Sequence, residues 1–403
     1  MSTSGLFTSW SKWFAHQPSV LGNGAHYPAR FSSAFSSQQG RPIWDGNSRM
    51  DEFFSTPKFN LQHQEPFFSR GQRPSGSRGT DGIPIRTTGG RNAHGAPAFD
   101  QIVPPGGYLW WYVDGISDDG QHGITIIAFV GSVFSPYYAW ANRKQLADPN
   151  NYCCLNVALY SPGKKRWTMT ERGRRFVHRE ASYFQIGPSE LHWNGQSLEI
   201  TIQERAVPFG QKVIGKVTVH PEQLFHYSVP LDKGHQHRWG PLAPTARIEV
   251  AFSEPQLQWQ GHAYLDSNEG DEPIAKPFLD WDWARALLKD QSTAVIYDVR
   301  EKNGHEHILA LQFHANGSVS EFPVGKRHDL PKTFWQIRRQ IRSDGDPPKV
   351  IQNLEDTPFY SRSILNSQWR GENLTCMHET LHVPRFSSNI VQLMLPWRMP
   401  RLT

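Results

Sequence analysis

Short runs of β-branched and aromatic residues alternate with turn residues from residue 108 to the C-terminus. Residues 198–204, with the sequence LEITIQE, alternate apolar and polar positions with a period of two, and residues 217–220 and 247–252 do the same. Such alternation is typical of a strand with one buried face. Strand-sized segments that recur with turn signals between them indicate antiparallel barrels or sandwiches.

The same pattern predicts one short helix, at residues 281–289, and places the join between two sets of strands near residues 253–261. Strand-like segments resume after the helix, at residues 294–300, 308–314, 362–366, 374–383 and 391–395. We therefore predict an all-β protein with two tandem β domains. The predicted organisation is a leader at residues 1–95, a first domain at residues 96–254 and a second domain at residues 255–403.

The first 95 residues differ from the rest in composition, being rich in Ser, Gly, Gln, Asn, Pro and Arg with scattered Phe and Trp. Such a segment does not bury enough apolar surface to order itself, so we predict a disordered, low-complexity leader. An alternative is an arm that contacts a membrane or a substrate through its Phe and Arg side chains. The first 95 residues show no secretory signal, because the start of the sequence lacks a continuous apolar run.

Charge and cysteine content narrow the possible functions. The chain of 403 residues has 42 Lys and Arg against 37 Asp and Glu, a net charge of +5. Residues 1–100 carry 10 of those basic and 6 of those acidic residues, so the remainder is nearly neutral. This distribution argues against a basic nucleic-acid-binding domain. The 3 Cys exclude a dense disulfide framework and favour a reducing compartment.

Residues 123–142 form an uncharged run close to the length that spans a bilayer. Gly-Ser and Ser-Pro pairs divide the run, so we expect two strands in a buried hairpin, lining an apolar cavity, rather than a transmembrane helix.

The sequence HETLH at residues 378–382 matches the HExxH pattern of zinc proteases. That chemistry needs a helix. This segment lies between Gly371 and Pro384, and its length and residue pattern are typical of a strand. On a strand, residues four apart lie about 13 Å apart and do not share one zinc ion. No phosphate-binding or dinucleotide-binding glycine motif is present in the sequence, so neither a metal nor another cofactor is predicted.

Two polar segments offer candidate chemistry. Asp266 lies in the acidic stretch at residues 264–273, which fails the EF-hand spacing and has aromatic residues on both sides. A carboxyl group beside aromatic walls has its pKa raised by desolvation, as a general acid requires at neutral pH. The second segment, HQHRWGP at residues 235–241, is compatible with a polar loop, with two metal ligands on a strand face, or with a proton acceptor beside a Trp.

Several long motifs resemble the carotenoid 1,2-hydratases, also called hydroxyneurosporene synthases, of purple photosynthetic bacteria. The resemblance runs from about residue 104 to the C-terminus and leaves out the leader. The motifs are GGYLWWYVD at 106–114, GSVFSPYY at 131–138, LNVALY at 155–160, WTMTER at 167–172, YLDSNEGDEP at 264–273 and PWRMPR at 396–401.

The resemblance implies a pair of lipocalin-like β-barrels and the addition of water across the terminal 1,2 double bond of an acyclic carotenoid such as neurosporene or lycopene, without a cofactor. The catalytic positions of the family fall on Asp266 as general acid, on Tyr264 beside it, and on His237 and Trp239. Protonation at C2 would leave a tertiary cation at C1, which the rings of Trp239 and Tyr264 would stabilise. His237 would orient or deprotonate the water.

The same resemblance implies a long apolar substrate that resides in lipid, an apolar tunnel to hold it, and peripheral contact with the cytoplasmic face of the photosynthetic inner membrane. The number of subunits stays open. Two alternatives remain from other classes. One is a carotenoid-binding or lipid-binding protein without chemistry, and the other is a lipocalin-like pericyclase.

Overall fold

The computed structural model describes residues 89–403, which are built mostly of β-strands. They form a sheet of 13 strands, antiparallel except where β22 (Arg401–Leu402) pairs with β4 (Arg166–Arg172), a second sheet of 7 strands and a separate pair of 2 strands. The predicted all-β, lipocalin-like class is confirmed. The predicted leader up to residue 88 lies outside the described residues.

The first sheet takes strands from the N-terminal half of the described chain and one from the C-terminus. Its strands are β1 (Tyr108–Ser117), β2 (Gly123–Val130), β3 (Cys153–Tyr160), β4 (Arg166–Arg172), β5 (Val177–Glu180), β6 (Tyr183–Ile186), β7 (Ser189–Trp193), β8 (Leu198–Arg205), β9 (Lys212–Pro221), β10 (Val229–Pro230), β11 (His237–Glu254), β12 (Gln256–Gly270) and β22 (Arg401–Leu402).

The second sheet and the helices follow. The strands of this sheet are β13 (Phe278–Leu287), β14 (Thr293–Glu301), β15 (Glu306–Phe313), β16 (Val319–Glu321), β19 (Lys349–Asp356), β20 (Tyr360–Trp369) and β21 (Glu372–His382). The separate pair is β17 (Lys326–Asp329) and β18 (Gln340–Ser343). The helices are α1 (Pro136–Lys144), α2 (Val383–Phe386) and α3 (Asn389–Met394), and three-residue 3₁₀ turns lie at Pro149–Asn151, Arg174–Phe176 and Leu395–Trp397.

The centre of the first sheet is the run β2-β1-β12-β11, in which every pair is antiparallel. Strands β11 and β12 form one long hairpin that turns at residues 254–256. The join predicted between residues 254 and 255 falls at this turn, and both strands of the hairpin belong to the first sheet. The second sheet begins with β13.

The end of the predicted leader, residues 89–95, is ordered against the first sheet, so a disordered leader extending to residue 95 is wrong for these residues. The buried guanidinium of Arg91 donates hydrogen bonds to the carbonyl oxygen of Gly240 at 2.8 Å and to the hydroxyl of Ser267 at 3.2 Å. These contacts hold the segment across β11 and β12.

The helix predicted at residues 281–289 is wrong, because most of this segment belongs to strand β13. Its Trp281 and Trp283 face one hydrophobic core, while Ala284 and Ala286 face another. Ala and Leu favour a helix locally, but pairing with β14 and β21 on both sides outweighs that preference.

The hairpin predicted at residues 123–142 is only half correct. Strand β2 forms as expected and is buried throughout. The second half forms α1, because the hydroxyl of Ser135 accepts a hydrogen bond from the backbone NH of Tyr138 at 3.0 Å and Pro136 occupies the first turn. None of the helices within residues 89–403 is long and apolar enough to cross a membrane.

The strand predicted at residues 391–395 is also wrong, because most of this segment lies in α3. Ser388 caps the helix by accepting a hydrogen bond from the backbone NH of Val391 at 3.4 Å. Val391 and Leu395 pack inward, whereas Ile390 and Leu393 are 75% and 68% exposed.

Alternate residues of β1 divide between two cores. Leu109, Trp111 and Val113 enter a core on one face of the first sheet. Tyr108, Trp110 and Tyr112 enter a second core, to which β13, β14 and β21 of the second sheet also contribute. This shared core is rich in aromatic residues, and we call it the aromatic core. It explains the continuous apolar runs of β1 and β2, since both faces of these strands are covered.

Candidate active site

Asp266 lies on β12 and points into the aromatic core with 3% of its surface exposed. Its Oδ2 accepts a hydrogen bond of 2.7 Å from the indole nitrogen of Trp239 on β11. The same oxygen accepts a second hydrogen bond of 2.9 Å from the hydroxyl of Tyr264, two residues earlier on β12. The structure thus brings together three of the four site residues predicted from the sequence.

The surroundings of Asp266 favour its protonated form. Burial raises its pKa from 3.8 to about 8, even though the hydrogen bonds from Trp239 and Tyr264 act in the opposite direction. The negative charges of Glu379 and Asp114 raise the pKa further. Since Oδ2 accepts both hydrogen bonds, the acidic hydrogen belongs on Oδ1, which is buried and has no hydrogen-bond partner among residues 89–403.

Aromatic rings from both sheets surround this carboxyl group. The ring of Tyr264 lies 5.4 Å from that of Trp283 and 6.3 Å from that of Tyr112, measured between centroids. On the other side, the ring of Trp239 lies 5.5 Å from that of Tyr297 in an edge-to-face contact. The π faces of such rings attract a cation, so this part of the core suits a positively charged intermediate.

Buried ion pairs join the two sheets behind the aromatic rings. Arg285 of β13 forms a two-point ion pair with Asp114 of β1, in which Nε lies 2.9 Å from Oδ2. The guanidinium of Arg285 also lies 5.4 Å from the ring centroid of Tyr264. The hydroxyl of Tyr112 lies 3.1 Å from Oδ2 of Asp114 and 2.7 Å from Oε1 of Glu379, and donates to one of them at a time.

Arg362 of β20 completes this network. Its Nε lies 2.7 Å from Oε1 of Glu379, and its Nη1 lies 3.0 Å from Oε1 of Glu355. Nη1 also donates to the hydroxyl of Tyr160 on β3. With Asp114 and Arg285, the network holds three carboxylates against two guanidinium groups, so it adds negative potential near Asp266.

The fourth predicted residue, His237 at the start of β11, is fully buried in a different part of the same face. Its Nδ1 forms a hydrogen bond of 2.9 Å with the hydroxyl of Tyr108 on β1. Its Nε2 lies 3.8 Å from Oε1 of Glu272 and has no hydrogen-bond partner among the residues that the structure describes. Burial lowers the pKa of His237 below 6.5, against the opposing charges of Asp232 and Glu272, which favours a neutral imidazole at neutral pH.

Gly270 makes room for this hydrogen bond. It lies opposite both Tyr108 and His237 in the strand register. A Cβ atom at this position would come within 2.4 Å of the Tyr108 ring and 2.6 Å of Nδ1 of His237.

His237 and Asp266 are separated along the sheet. Asp266 lies opposite Pro241 on β11, four residues beyond His237. At about 3.3 Å per residue, their rows lie about 13 Å apart. The structure therefore separates His237 from Asp266, the carboxyl group to which Trp239 and Tyr264 donate.

A polar depression of about 700 Å³ lies beside His237. Its walls include Asp232, which accepts a hydrogen bond of 2.8 Å from the backbone NH of His237, and Glu272. The depression is lined by neighbours of His237, while His237 itself is fully buried.

The HExxH segment lies on strand β21, as predicted, and its residues alternate between the two faces. His378 is buried with its Nε2 2.8 Å from the carbonyl oxygen of Gln340, while Glu379 points the other way, into the network described above. Within residues 89–403 no group of three or more His, Cys, Asp or Glu side chains is placed to hold a metal ion.

Sequence reasoning missed several residues around Asp266. They are Tyr112, Asp114, Trp283, Arg285, Tyr297, Arg362 and Glu379. Two signals were available: Asp114 ends an otherwise apolar aromatic run on β1, and Glu379 is the acidic residue of the HExxH segment. A charged residue within a strand that is buried on both faces needs a buried partner.

Among solved structures, a Nitrosomonas europaea protein described as an AttH is similar in fold, with a TM-score of 0.51 over 68% of this chain and 92% of that chain. Only 16% of the aligned residues are identical, so this likeness concerns the fold alone.

Sequence relatives are far more similar. The acyclic carotenoid 1,2-hydratase of Rubrivivax gelatinosus is 56% identical over 76% of each chain. The acyclic carotenoid 1,2-hydratase of Thiocapsa roseopersicina is 44% identical over 100% of both chains. The family model described as carotenoid hydratase CrtC matches residues 126–403. On this match and these identities, the chain belongs to the carotenoid hydratase CrtC family.

Proposed function

We propose that the protein adds water across the terminal 1,2 double bond of an acyclic carotenoid, with Asp266 as the proton donor. The observation that carries this proposal is the buried carboxyl group of Asp266, whose pKa is raised to about 8 and whose Oδ1 has no hydrogen-bond partner within residues 89–403. The relatives named as acyclic carotenoid 1,2-hydratases support the choice of substrate class. Neurosporene and lycopene are the proposed substrates.

The first step requires a carboxylic acid that is still protonated at neutral pH, because an alkene is a very weak base. Oδ1 of Asp266 gives its proton to C2, the electron pair of the double bond forms the new C–H bond, and C1 becomes a tertiary cation. The carboxylate that remains keeps its hydrogen bonds from Trp239 and Tyr264. Those two donors stabilise the ionised acid more than the neutral acid, so they favour proton transfer.

The cation at C1 is stabilised by its surroundings. The ring faces of Tyr264 and Trp239 contribute about 2 kcal/mol when desolvated. The excess of carboxylates in the network of Asp114, Arg285 and Arg362 adds negative potential on the same side.

Water then forms a bond to C1 through an oxygen lone pair, and the resulting oxonium loses a proton. We assign the acceptance of this proton to His237. When Nδ1 carries a hydrogen and donates it to the hydroxyl of Tyr108, Nε2 is free to accept. The polar depression beside His237 supports the supply of water from that end of the site.

We further propose that the protein takes its substrate from the cytoplasmic surface of a membrane. An exposed apolar group supports this, formed by Ile390, Leu393 and Trp397, which are 75%, 68% and 67% exposed. The buried sides of α2 and α3 belong to the aromatic core, so this surface adjoins the core that holds Asp266.

The test is incubation of the purified protein with lycopene in detergent micelles, followed by mass spectrometry of the carotenoids. We expect a product heavier by one water, and we expect Asp266→Asn to abolish it while the far-ultraviolet circular dichroism stays unchanged. Asp329→Asn, at an exposed position, is the matched control and should retain activity. Binding of lycopene without any water gain by the wild-type protein would favour a non-catalytic carotenoid-binding protein instead.

A further inference from the structure

Asn268 is a buried amide that the mechanism above does not use. It lies on β12 two residues beyond Asp266 and two residues before Gly270, so its side chain shares their face of the strand. Only 5% of its surface is exposed, and its Oδ1 has no hydrogen-bond partner in the described part of the chain.

The neighbours of Asn268 across the strands are two tryptophans of the aromatic core. It lies opposite Trp110 on β1 and opposite Trp239 on β11. Along its own strand, Asp266 lies on one side, and the row containing Tyr108 and His237 lies on the other. Asn268 therefore occupies the middle of the gap that separates the proposed acid from the proposed base.

Three buried polar atoms that find no hydrogen-bond partner within residues 89–403 follow one another across this gap: Oδ1 of Asp266, Oδ1 of Asn268 and Nε2 of His237. An unpaired polar atom in a buried apolar setting destabilises the fold, and a leucine of similar size would avoid that penalty. The penalty disappears when such atoms bind a small ligand that forms hydrogen bonds. A buried water molecule is such a ligand, and it typically has two to four polar partners.

We propose that Asn268 binds the water that adds to the carotenoid and holds it between Asp266 and His237. This inference rests on the proposed hydration reaction. The amide oxygen accepts one hydrogen of the water, which leaves a lone pair of the water oxygen free to form the bond to C1. The proton released from the resulting oxonium passes to Nε2 of His237, and the C–O bond and the alkene proton are then both accounted for.

A cation that is not captured by water has another outcome. It loses a proton from one of the methyl groups on C1, which re-forms a double bond and returns an unhydrated carotenoid. In D₂O, the deuteron that Asp266 delivered remains at C2 of that molecule. The ratio of hydrated product to deuterated unhydrated carotenoid therefore measures water capture separately from proton donation.

The experiment compares this ratio for wild-type protein and Asn268→Leu, with lycopene in micelles prepared in D₂O. We expect the ratio to fall at least tenfold, while the total deuterium delivered to carotenoid stays within a few-fold of wild type. Asn268→Ser, which keeps a small polar group, should restore part of the ratio. Thr168→Val is the matched control, because Thr168 is a buried polar residue whose Oγ1 also lacks a partner and whose strand neighbour Met169 faces the aromatic core.

An unchanged ratio in Asn268→Leu, or a fall in both products in equal proportion, would overturn the role of Asn268. If Asn268→Leu does not fold, Asn268→Ala and Asn268→Ser decide the question by the same ratio. Failure of the proposed function has a different signature, because the wild-type protein would then give neither hydrated product nor deuterated carotenoid.

Discussion

The indole nitrogen of Trp239 lies 2.7 Å from Oδ2 of Asp266, and this hydrogen bond joins neighbouring strands inside the aromatic core. The bond stabilises the ionised carboxylate, so it opposes the rise in pKa that burial causes. Burial keeps the acid protonated at neutral pH, while the bond from Trp239 gives its conjugate base a stabilising partner.

The pH dependence of hydration tests this relationship. The wild-type rate should fall as pH rises through about 8, because only protonated Asp266 donates a proton. Trp239→Phe removes a donor to a charged group, which is worth about 1.5–3 kcal/mol, so the pKa of Asp266 should rise by about one to two units. Rate profiles between pH 6 and 10 should show the falling limb at higher pH in this variant, with a lower maximum. If the rate of Trp239→Phe falls over the same pH range as the wild-type rate, the role given to Trp239 is contradicted.

The raised pKa of Asp266 also affects stability. Asp266 has a pKa near 3.8 when unfolded and about 8 when folded, so the native state binds the proton more tightly. Stability is therefore fully present below the unfolded pKa and is lost as pH rises towards the folded pKa. Asp266→Asn lacks this dependence. The unfolding free energy of Asp266→Asn minus that of the wild type should therefore increase from pH 4 to pH 8, by at most about 1.4 kcal/mol per pH unit, and then level off. Urea denaturation at several pH values measures it, and a constant difference would contradict it.

The ion pair between Arg285 and Asp114 makes a separate prediction. Asp114→Asn leaves a buried guanidinium without its carboxylate, which should lower the unfolding free energy by about 3–5 kcal/mol. Adding Arg285→Met should recover much of the loss, because the uncompensated charge is gone. Urea denaturation of the single variants and the double variant completes the cycle. A loss below about 1 kcal/mol in Asp114→Asn would show that the pair is not buried as described.

Gly270→Ala tests the pairing of Tyr108 with His237. The new methyl group would overlap both side chains, so it should separate them and cost about 1–3 kcal/mol of stability through overpacking. We expect hydration to fall at least tenfold while the protein stays folded at 25 °C. The control is Gly123→Ala, at the start of β2, where a Cβ comes no closer than 3.4 Å to its neighbours. Full activity in Gly270→Ala would argue against a role for the hydrogen bond between Tyr108 and His237.

The exposed face of α3 predicts membrane binding. Replacing Ile390 and Leu393 with Ser removes two exposed apolar side chains. Each side chain changes the partition coefficient between water and membrane about tenfold. Binding to vesicles of phosphatidylglycerol and phosphatidylcholine should therefore weaken about a hundredfold. Sedimentation with vesicles measures this. Hydration of lycopene in vesicles should fall in parallel, while hydration in micelles stays unchanged. Ile351→Ser, at a position that is 54% exposed on β19, is the control. Equal binding by all three proteins would exclude α3 as the contact.

The sequence by itself determined the all-β class and singled out Asp266, Tyr264, Trp239 and His237. Period-two alternation reports which face of a strand is buried, and long motifs carry a family resemblance. The sequence alone did not identify α1, α3 or β13, because local preference is weak compared with caps and strand pairing.

Only the tertiary structure decided which residues meet across the two sheets. The partners of Asp266 include rings and charges far away in sequence, such as Trp283 and Glu379, and no local pattern encodes their distance. The sequence pattern also does not distinguish Asn268 from the other polar residues of its segment. Its burial between two tryptophans comes from the register of β12 with β1 and β11, and that register depends on the packing of the whole core.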